Sequence, residues 1–261
     1  FDVRPIAAAS IGQVHRAKTK DGRELALKIQ YPGIRKSIDS DVDNIAMLIK
    51  MSGLLPRDLN ITSLLEQAKQ QLHDEAQYQR EGQYLEQFGK LLADKRDFKV
   101  PALYEDFTTP DILAMSYVSG HPIETLASAP QAARDRVIGL LIQLLLLELF
   151  DFHLMQTDPN FANYQYNPET QQVVLLDFGA TRALCPILVQ QFRRLLNSGL
   201  ENNKDASLHL LREIGYCDDT TLPHHRTALL NLFDLILSPF RQDTAFDFSD
   251  GMFAAQVRDA A

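Results

Sequence analysis

Basic residues are the minority in this chain of 261 residues: 26 Lys and Arg stand against 34 Asp and Glu, a formal charge of −8. A phosphate polyanion would be repelled at long range, so nucleic acid is not an expected partner. The one basic run, "GKLLADKRDFK" (89–99), reads as a solvated face. Cysteine is scarce as well. Cys185 and Cys217 have neither metal-site nor disulfide-framework spacing, which suits a reducing compartment, and both read as packing residues. No uninterrupted apolar run reaches the roughly 20 residues of a membrane span. The most apolar stretch, 137–155, is broken by Gln143, Glu148, Asp151 and His153 and is expected to be a buried core helix. A second, 226–240, is expected in a core, with a membrane or partner surface as the alternative. No basic-then-apolar leader opens the chain, and it begins with Phe1 rather than Met, which points to a piece of a longer protein. Internal repeats and low-complexity linkers are absent too.

What is present is enough apolar material, 45% of residues, for one large domain or two lobes, and this argues against disorder. The start reads as strands: 5–19, a two-residue turn at Asp21-Gly22, then "RELALKIQ" (23–30), together a β-hairpin. Ile38, Val42, Ile45, Leu48 and Ile49 recur at helical spacing. Residues 62–92 read as one long helical stretch with Thr62 or Ser63 as N-cap and Gly82 weakening its middle. Residues 99–120 return to strands around a Thr109-Pro110-Asp111 turn. Beyond Gly120 the pattern is mostly helical, apart from short strands flanking residue 170. A β-rich start with inserted helices followed by a helical half predicts an α+β fold of two lobes, 1–117 and 118–261, hinged near "SYVSG" (116–120).

The chemistry gathers in "LMQTDPNFANYQYNPETQQVVLLDFGATR" (154–182). Phosphoryl transfer needs a base near the acceptor, oxygen ligands for a metal and a cation on the phosphates. Asp158 can take the acceptor's proton, and Asn163 and Asp177 offer hard oxygens suited to Mg2+. Asp-x-x-x-x-Asn followed by a strand and Asp-Phe-Gly has the spacing of a kinase catalytic loop and metal loop. Each residue also has a plainer reading: Asp158 as a cap before Pro159, Asn163 as a turn side chain, Asp177 as a loop carboxylate.

Lys28 in "LALKIQ" sits where apolar neighbours would hold its stem and aim the ammonium into a cleft, the alternative being a surface lysine on an edge strand. A buried lysine needs a carboxylate. Glu75 and Glu81 in "HDEAQYQREGQ" are the candidates, and on one ideal helix they point about 120° apart. Upstream, where a kinase carries Gly-x-Gly-x-x-Gly, this chain has "AAASIGQV" with Gly12 alone. The Cβ atoms of Ala7, Ala8 and Ala9 narrow the backbone choices and take up space near the phosphates, so a nucleotide is expected in an altered pose.

Together "AAASIGQVHRA", "ALKIQYPG", "YQRE", "MQTDPNFANY" and "LLDFGATR" resemble the UbiB/ABC1/ADCK family of atypical kinases, of the COQ8 type, over about residues 5–182. The resemblance implies a protein-kinase-like fold, Mg2+-dependent ATP or ADP binding and ATPase rather than ordinary protein kinase activity. It also implies support of ubiquinone biosynthesis at a membrane. By position, Lys28 resembles the phosphate-contacting lysine and Glu81 its ion-pair partner. Asp158, Asn163 and Asp177 resemble the catalytic and metal residues. Ala7, Ala8, Ala9 and Ser10 match the nucleotide loop, with Ala9 the restraining position, and Met115, Tyr117 and Val118 at the hinge complete the nucleotide contacts. Glu75 matches the first acid of a Glu-x-Asp element whose third position here is Gln77, and the family's Lys-x-Gly-Gln segment does not occur in these residues. Both departures bear on the family's self-inhibitory arrangement. "QTD" in place of His-Arg-Asp, no Ala-Pro-Glu after the metal loop and the long interval from Lys28 to Glu81 all argue against a standard protein kinase.

Three functions compete: an ATPase of this atypical kind, a nucleotide-responsive scaffold or lipid-access factor, and a small-molecule phosphotransferase, the weakest for want of a legible acceptor pocket. Expected partners are a nucleotide, a membrane surface or quinone-precursor lipid, and ubiquinone-biosynthesis proteins. The expected place is cytoplasmic, peripheral to an inner membrane.

Overall fold

A computed structural model describes residues 1–52, 61–247 and 251–260. The chain divides into two compact units, 1–148 with 154–182, and 149–153 with 183–261. The 117/118 lobe boundary expected from sequence lies inside the first unit.

The first unit starts with strands β1 (Ala7–Ala9), β2 (Gly12–Lys18) and β3 (Glu24–Gln30). They join β5 (Ile112–Ser116) in an antiparallel sheet ordered β1-β2-β3-β5. "AAASIG" is thus a hairpin tip between β1 and β2. Gly12 is required there because a Cβ on it would stand 2.2 Å from the Ile29 carbonyl oxygen. The β2–β3 connection is longer than the two-residue turn expected: Thr19 N–H donates to Arg23 O, and Gly22 takes φ +94°, a conformation glycine adopts without strain. Lys28 lies on a central strand, paired with Val14 on one side and Leu113 on the other, so the edge-strand alternative falls away.

Helices α1 (Ile34–Ser52), α2 (Ile61–Glu75) and α3 (Tyr78–Leu91) follow. The stretch read as one helix over 62–92 is two, broken at Ala76-Gln77. The freed Ala76 carbonyl accepts from Gln30 Nε2 at 2.7 Å and Arg35 Nε at 2.9 Å, which satisfies the break. Gly82 does not weaken α3; it lets the helix approach, since a Cβ there would meet Leu103 Cδ1 at 3.1 Å and Leu113 Cδ1 at 3.4 Å.

β4 (Phe98–Lys99) runs parallel to β9 (Gln172–Leu175). β9 pairs antiparallel with β8 (Tyr164–Asn167), and β8 with β6 (His121–Pro122). The strand expected ahead of Thr109 is replaced by one bridge, Leu103 to Met115, and a 3-10 turn, Glu105–Phe107, while the turn itself closes by Thr109 N–H donating to Ile112 O.

α4 (Gln131–Leu147) buries Val137, Leu140, Leu144 and Leu147 but exposes Ile138, Leu145 and Leu146. The expected single core helix over 137–155 therefore ends early. It gives way to a π turn, Glu148–Phe152, then His153 at φ 51°, then β7 (Leu154–Gln156), which pairs with β10 (Thr181–Ala183).

In the second unit, α5 (Pro186–Leu200), α6 (Lys204–Ile214) and α7 (Pro223–Leu237) enclose Leu195, Leu210, Leu211 and Cys217; α8 (Gly251–Ala260) follows. Leu229, Leu230 and Phe233 turn one face of α7 into this core, as expected for 226–240. Cys185, expected to pack, is exposed, and its Sγ accepts from Leu188 N–H as the N-cap of α5. Among the described residues no helix is long and apolar enough to cross a membrane.

Candidate functional site

The β3 alternation turns Ala26, Lys28 and Gln30 to one face. Lys28 Nζ bonds Glu81 Oε1 at 2.9 Å and Oε2 at 3.1 Å, and Asp177 Oδ2 at 2.8 Å. Glu81 is 1% exposed and lies in the first turn of α3; Tyr78, which opens the same turn, presents its ring 5.5 Å from the ammonium. Burial works against the charged lysine, but the two carboxylates outweigh it and its pKa is raised above the ordinary value. Burial pushes the Glu81 carboxyl up to about 7 against the pull of Lys28. For Asp177, Lys28 and the Gly179 N–H overcome burial and hold the carboxyl below its usual range.

The metal loop is fixed from several sides. Asp177 Oδ1 accepts from Gly179 N–H at 2.9 Å, and buried Phe178 packs at a tilt against Phe88 of α3, with centroids 5.1 Å apart. Arg80 donates to Gly179 O at 3.2 Å and Thr181 O at 2.8 Å. Arg80 was not singled out in the sequence, although it stands inside "YQRE" beside Glu81.

After β7, Asp158 accepts from Asn163 Nδ2 at 2.9 Å, and the same amide reaches Asp158 O at 3.2 Å. Asp158 N–H donates to Gln156 Oε1 at 2.5 Å, so the Gln of "QTD" braces the loop, another contact that spacing did not reveal. Asn163 O accepts from Leu176 N–H at 3.0 Å, which ties this loop to the metal loop.

A cavity of 310 Å³ brings most of the expected residues together. Ala7, Ala8, Ala9 and Ser10 form its roof, and Met115, Tyr117 and Val118 line it from β5 and the segment after it. Lys28, Asp158, Asn163 and Asp177 line its polar part. Register explains the convergence, because Ala7 pairs with Val14, Val14 with Lys28, and Ala26 with Met115, all of them lining residues. Glu81 does not line the cavity and stands behind Lys28.

Glu75 and Glu81 do not share an ideal helix. The break at Ala76-Gln77 lets both turn toward the metal loop: a Cβ on Gly179 would lie 3.6 Å from Glu81 Oε2 and 3.8 Å from Glu75 Cγ. Glu75, Ser10, Asp158 and Asp177 also line a smaller recess beside the cavity. Burial raises the Glu75 carboxyl, a hydrogen bond from Gln71 opposes, and Asp177 adds to the rise.

Among the described residues no three His, Cys, Asp or Glu side chains form a metal cluster. The donors present, the Asn163 amide oxygen and the Asp177 carboxylate, suit Mg2+, which takes one or two protein oxygens and completes its shell with phosphates and water. The residues fit that ion.

A four-stranded antiparallel sheet, a strand lysine paired to a helix glutamate, and a Phe-Gly-anchored aspartate beside the Asp158–Asn163 loop define a protein-kinase-like α+β protein. The ABC1 atypical kinase-like domain matches residues 1–211, and the chain belongs to that family, the UbiB/ABC1/ADCK atypical kinases. It is 36% identical to "Atypical kinase COQ8, mitochondrial" of Schizosaccharomyces pombe over 99% of this chain and 43% of that protein. It is 35% identical to the Saccharomyces cerevisiae protein of the same name over 99% and 52%, and 37% identical to "Atypical kinase COQ8B, mitochondrial" of Rattus norvegicus over 97% and 48%. The chain thus spans about half the length of the curated relatives it matches. Among solved structures, the Rv3197–erythromycin complex from Mycobacterium tuberculosis shares the fold at TM-score 0.76 and 23% identity, covering 98% of this chain and 64% of that one.

Proposed function

We propose that the protein is an atypical kinase-type ATPase that binds Mg-ATP or Mg-ADP and supports ubiquinone biosynthesis. One observation carries this reading: Lys28 Nζ, at the wall of the cavity, is held jointly by Glu81 and Asp177, as a cation must be to meet phosphates without moving. Lys28 orients the phosphates and Glu81 fixes Lys28. Asn163 and Asp177 would hold Mg2+, which when bound supplies neutralisation of the phosphate oxygens. Asp158, steadied by Asn163, accepts a proton from the water that takes the γ-phosphoryl group as ADP leaves. Ala7, Ala8, Ala9 and Ser10 cover the phosphates, and Met115, Tyr117 and Val118 face the nucleoside.

The COQ8 relatives carry "mitochondrial" in their names, and the settings that fit are a peripheral position at an inner membrane, a quinone-precursor lipid and partner proteins of ubiquinone biosynthesis. In this reading the lobes meet at 117/118, with the nucleotide between the β5 end and the catalytic loop.

A nucleotide titration read by thermal shift tests the reading, because a ligand bound only to the folded state raises stability by mass action. Wild type should shift upward with ATP and Mg2+ and not with ATP plus a chelator, and Asp177→Asn should abolish the Mg2+-dependent part. An unchanged shift in that variant refutes the metal assignment. Mg2+-dependent shift without phosphate release, with or without lipid or a phenolic quinone-precursor analogue, would leave the nucleotide-responsive scaffold in its place.

A further inference from the structure

We propose that Glu148 is a positioning residue for Asp158, acting through Gln156. The inference rests on the assignment of Asp158 as the group that meets the acceptor. Glu148 opens the π turn at the end of α4 and is 3% exposed. Glu148 Oε2 accepts the Gln156 backbone N–H at 3.2 Å. Gln156, itself 8% exposed, accepts the Asp158 N–H with Oε1, and Asp158 Oδ2 in turn accepts from Asn163. Four side chains therefore stand in series from the core to the cavity.

Among the described residues no cation pairs with Glu148, and Oε1 has no hydrogen-bond partner. A leucine would fill the site without the cost of burying a carboxyl. Burial pushes that carboxyl up to about 8, so near neutral pH it is a neutral group whose oxygen serves the Gln156 N–H. The orientation of the Gln156 amide follows, because the reversed amide would set its NH2 against the Asp158 N–H, donor to donor. The backbone of Gln156 is held by Glu148 and its side chain holds Asp158, so a loose Glu148 contact is passed directly to the acceptor group.

Two Glu148 variants and one at Gln156 test the series. Glu148→Gln keeps an oxygen acceptor, Glu148→Leu removes it at similar volume, and Gln156→Met removes the acceptor for Asp158 while leaving Glu148 in place. Three readouts are taken: amide hydrogen exchange at Gln156 and Asp158 relative to the β9 amides, nucleotide affinity, and steady-state phosphate release. In Glu148→Leu, exchange at both amides should rise about tenfold above any rise in β9. Turnover should fall about 10- to 100-fold with nucleotide Kd within about twofold, the signature of a misplaced rather than missing group. Glu148→Gln should restore both. Gln156→Met should expose the Asp158 amide and slow turnover, and it carries the test if Glu148→Leu does not fold. Exchange at Asp158 unchanged in Gln156→Met, or Glu148→Gln behaving as badly as Glu148→Leu, overturns the proposal. A wild type that releases no phosphate would defeat the ATPase reading alone, since the exchange measurements decide the relay without turnover.

Discussion

Replacing Lys28 by methionine removes the ammonium and keeps the stem, which isolates the charge at the centre of the site. In the wild type this ammonium makes three contacts with two carboxylates, one of them, Glu81, 1% exposed. Glu81 has an ordinary carboxyl value of 4.5 and is pushed up to about 7 in the folded protein even with Lys28 beside it. Without Lys28 the largest opposing pull is gone, so its folded value rises further. The folded variant then binds a proton that the unfolded chain releases, and its stability must fall as pH rises through that window, by about 1.36 kcal/mol per pH unit. At pH 6 both proteins hold Glu81 mostly neutral, and the penalty is the lost hydrogen bonds together with the Asp177 carboxylate left without its cation, about 2–3 kcal/mol. By pH 8 the wild type has ionised Glu81 against Lys28 while the variant keeps the acid protonated, and the penalty grows to about 3–4 kcal/mol, within the range for breaking a buried pair. Urea unfolding of both proteins at pH 6 and pH 8 measures this from the midpoints and slopes. A penalty equal at the two pH values, or below about 1 kcal/mol at pH 8, would refute the reasoning.

Arg80→Ala strips the donors from Gly179 O and Thr181 O and should weaken Mg-nucleotide binding about 5- to 30-fold, or 1–2 kcal/mol, with Lys28 and Glu81 in place; calorimetric titration checks it. Gly12→Ala drives a methyl to 2.2 Å from Ile29 O, a backbone atom that cannot yield, and should cost about 3 kcal/mol in thermal or denaturant unfolding. Ala9→Gly acts in the opposite sense. It frees the loop from a Cβ and should raise ATP affinity or self-phosphorylation, read by titration and by radiolabel incorporation, with no change in either marking the alanines as incidental.

The residues of the candidate site were largely legible because their chemistry is local. "QTDPNFAN" and "LLDFG" keep an aspartate, an amide and a metal-loop carboxylate at short offsets around one strand, and the apolar setting of Lys28 marks it as a stem-buried cation. The braces were not legible. Arg80 and Gln156 do their work through backbone atoms, Gly179 O, Thr181 O and Asp158 N–H, which carry no residue type for a pattern to match. Element boundaries failed for a related reason. The helix over 62–92 can break at Ala76-Gln77 because Gln30 and Arg35, more than forty positions earlier, donate hydrogen bonds to the freed Ala76 carbonyl.

By itself the amino-acid order pointed to the α+β class, to the family through the resemblance of its motifs, and to Lys28, Glu81, Asp158, Asn163 and Asp177 as candidate site residues, Glu81 among them by that resemblance and the others also by residue type and near-neighbour spacing. Tertiary structure alone decided that Glu75 and Glu81 face one loop, that Gly82 serves close packing, that the 137–155 stretch turns from helix to strand, and that Glu148 stands behind Asp158. Those facts depend on which distant groups meet in space, where burial and hydrogen-bond satisfaction override the local preference of the chain.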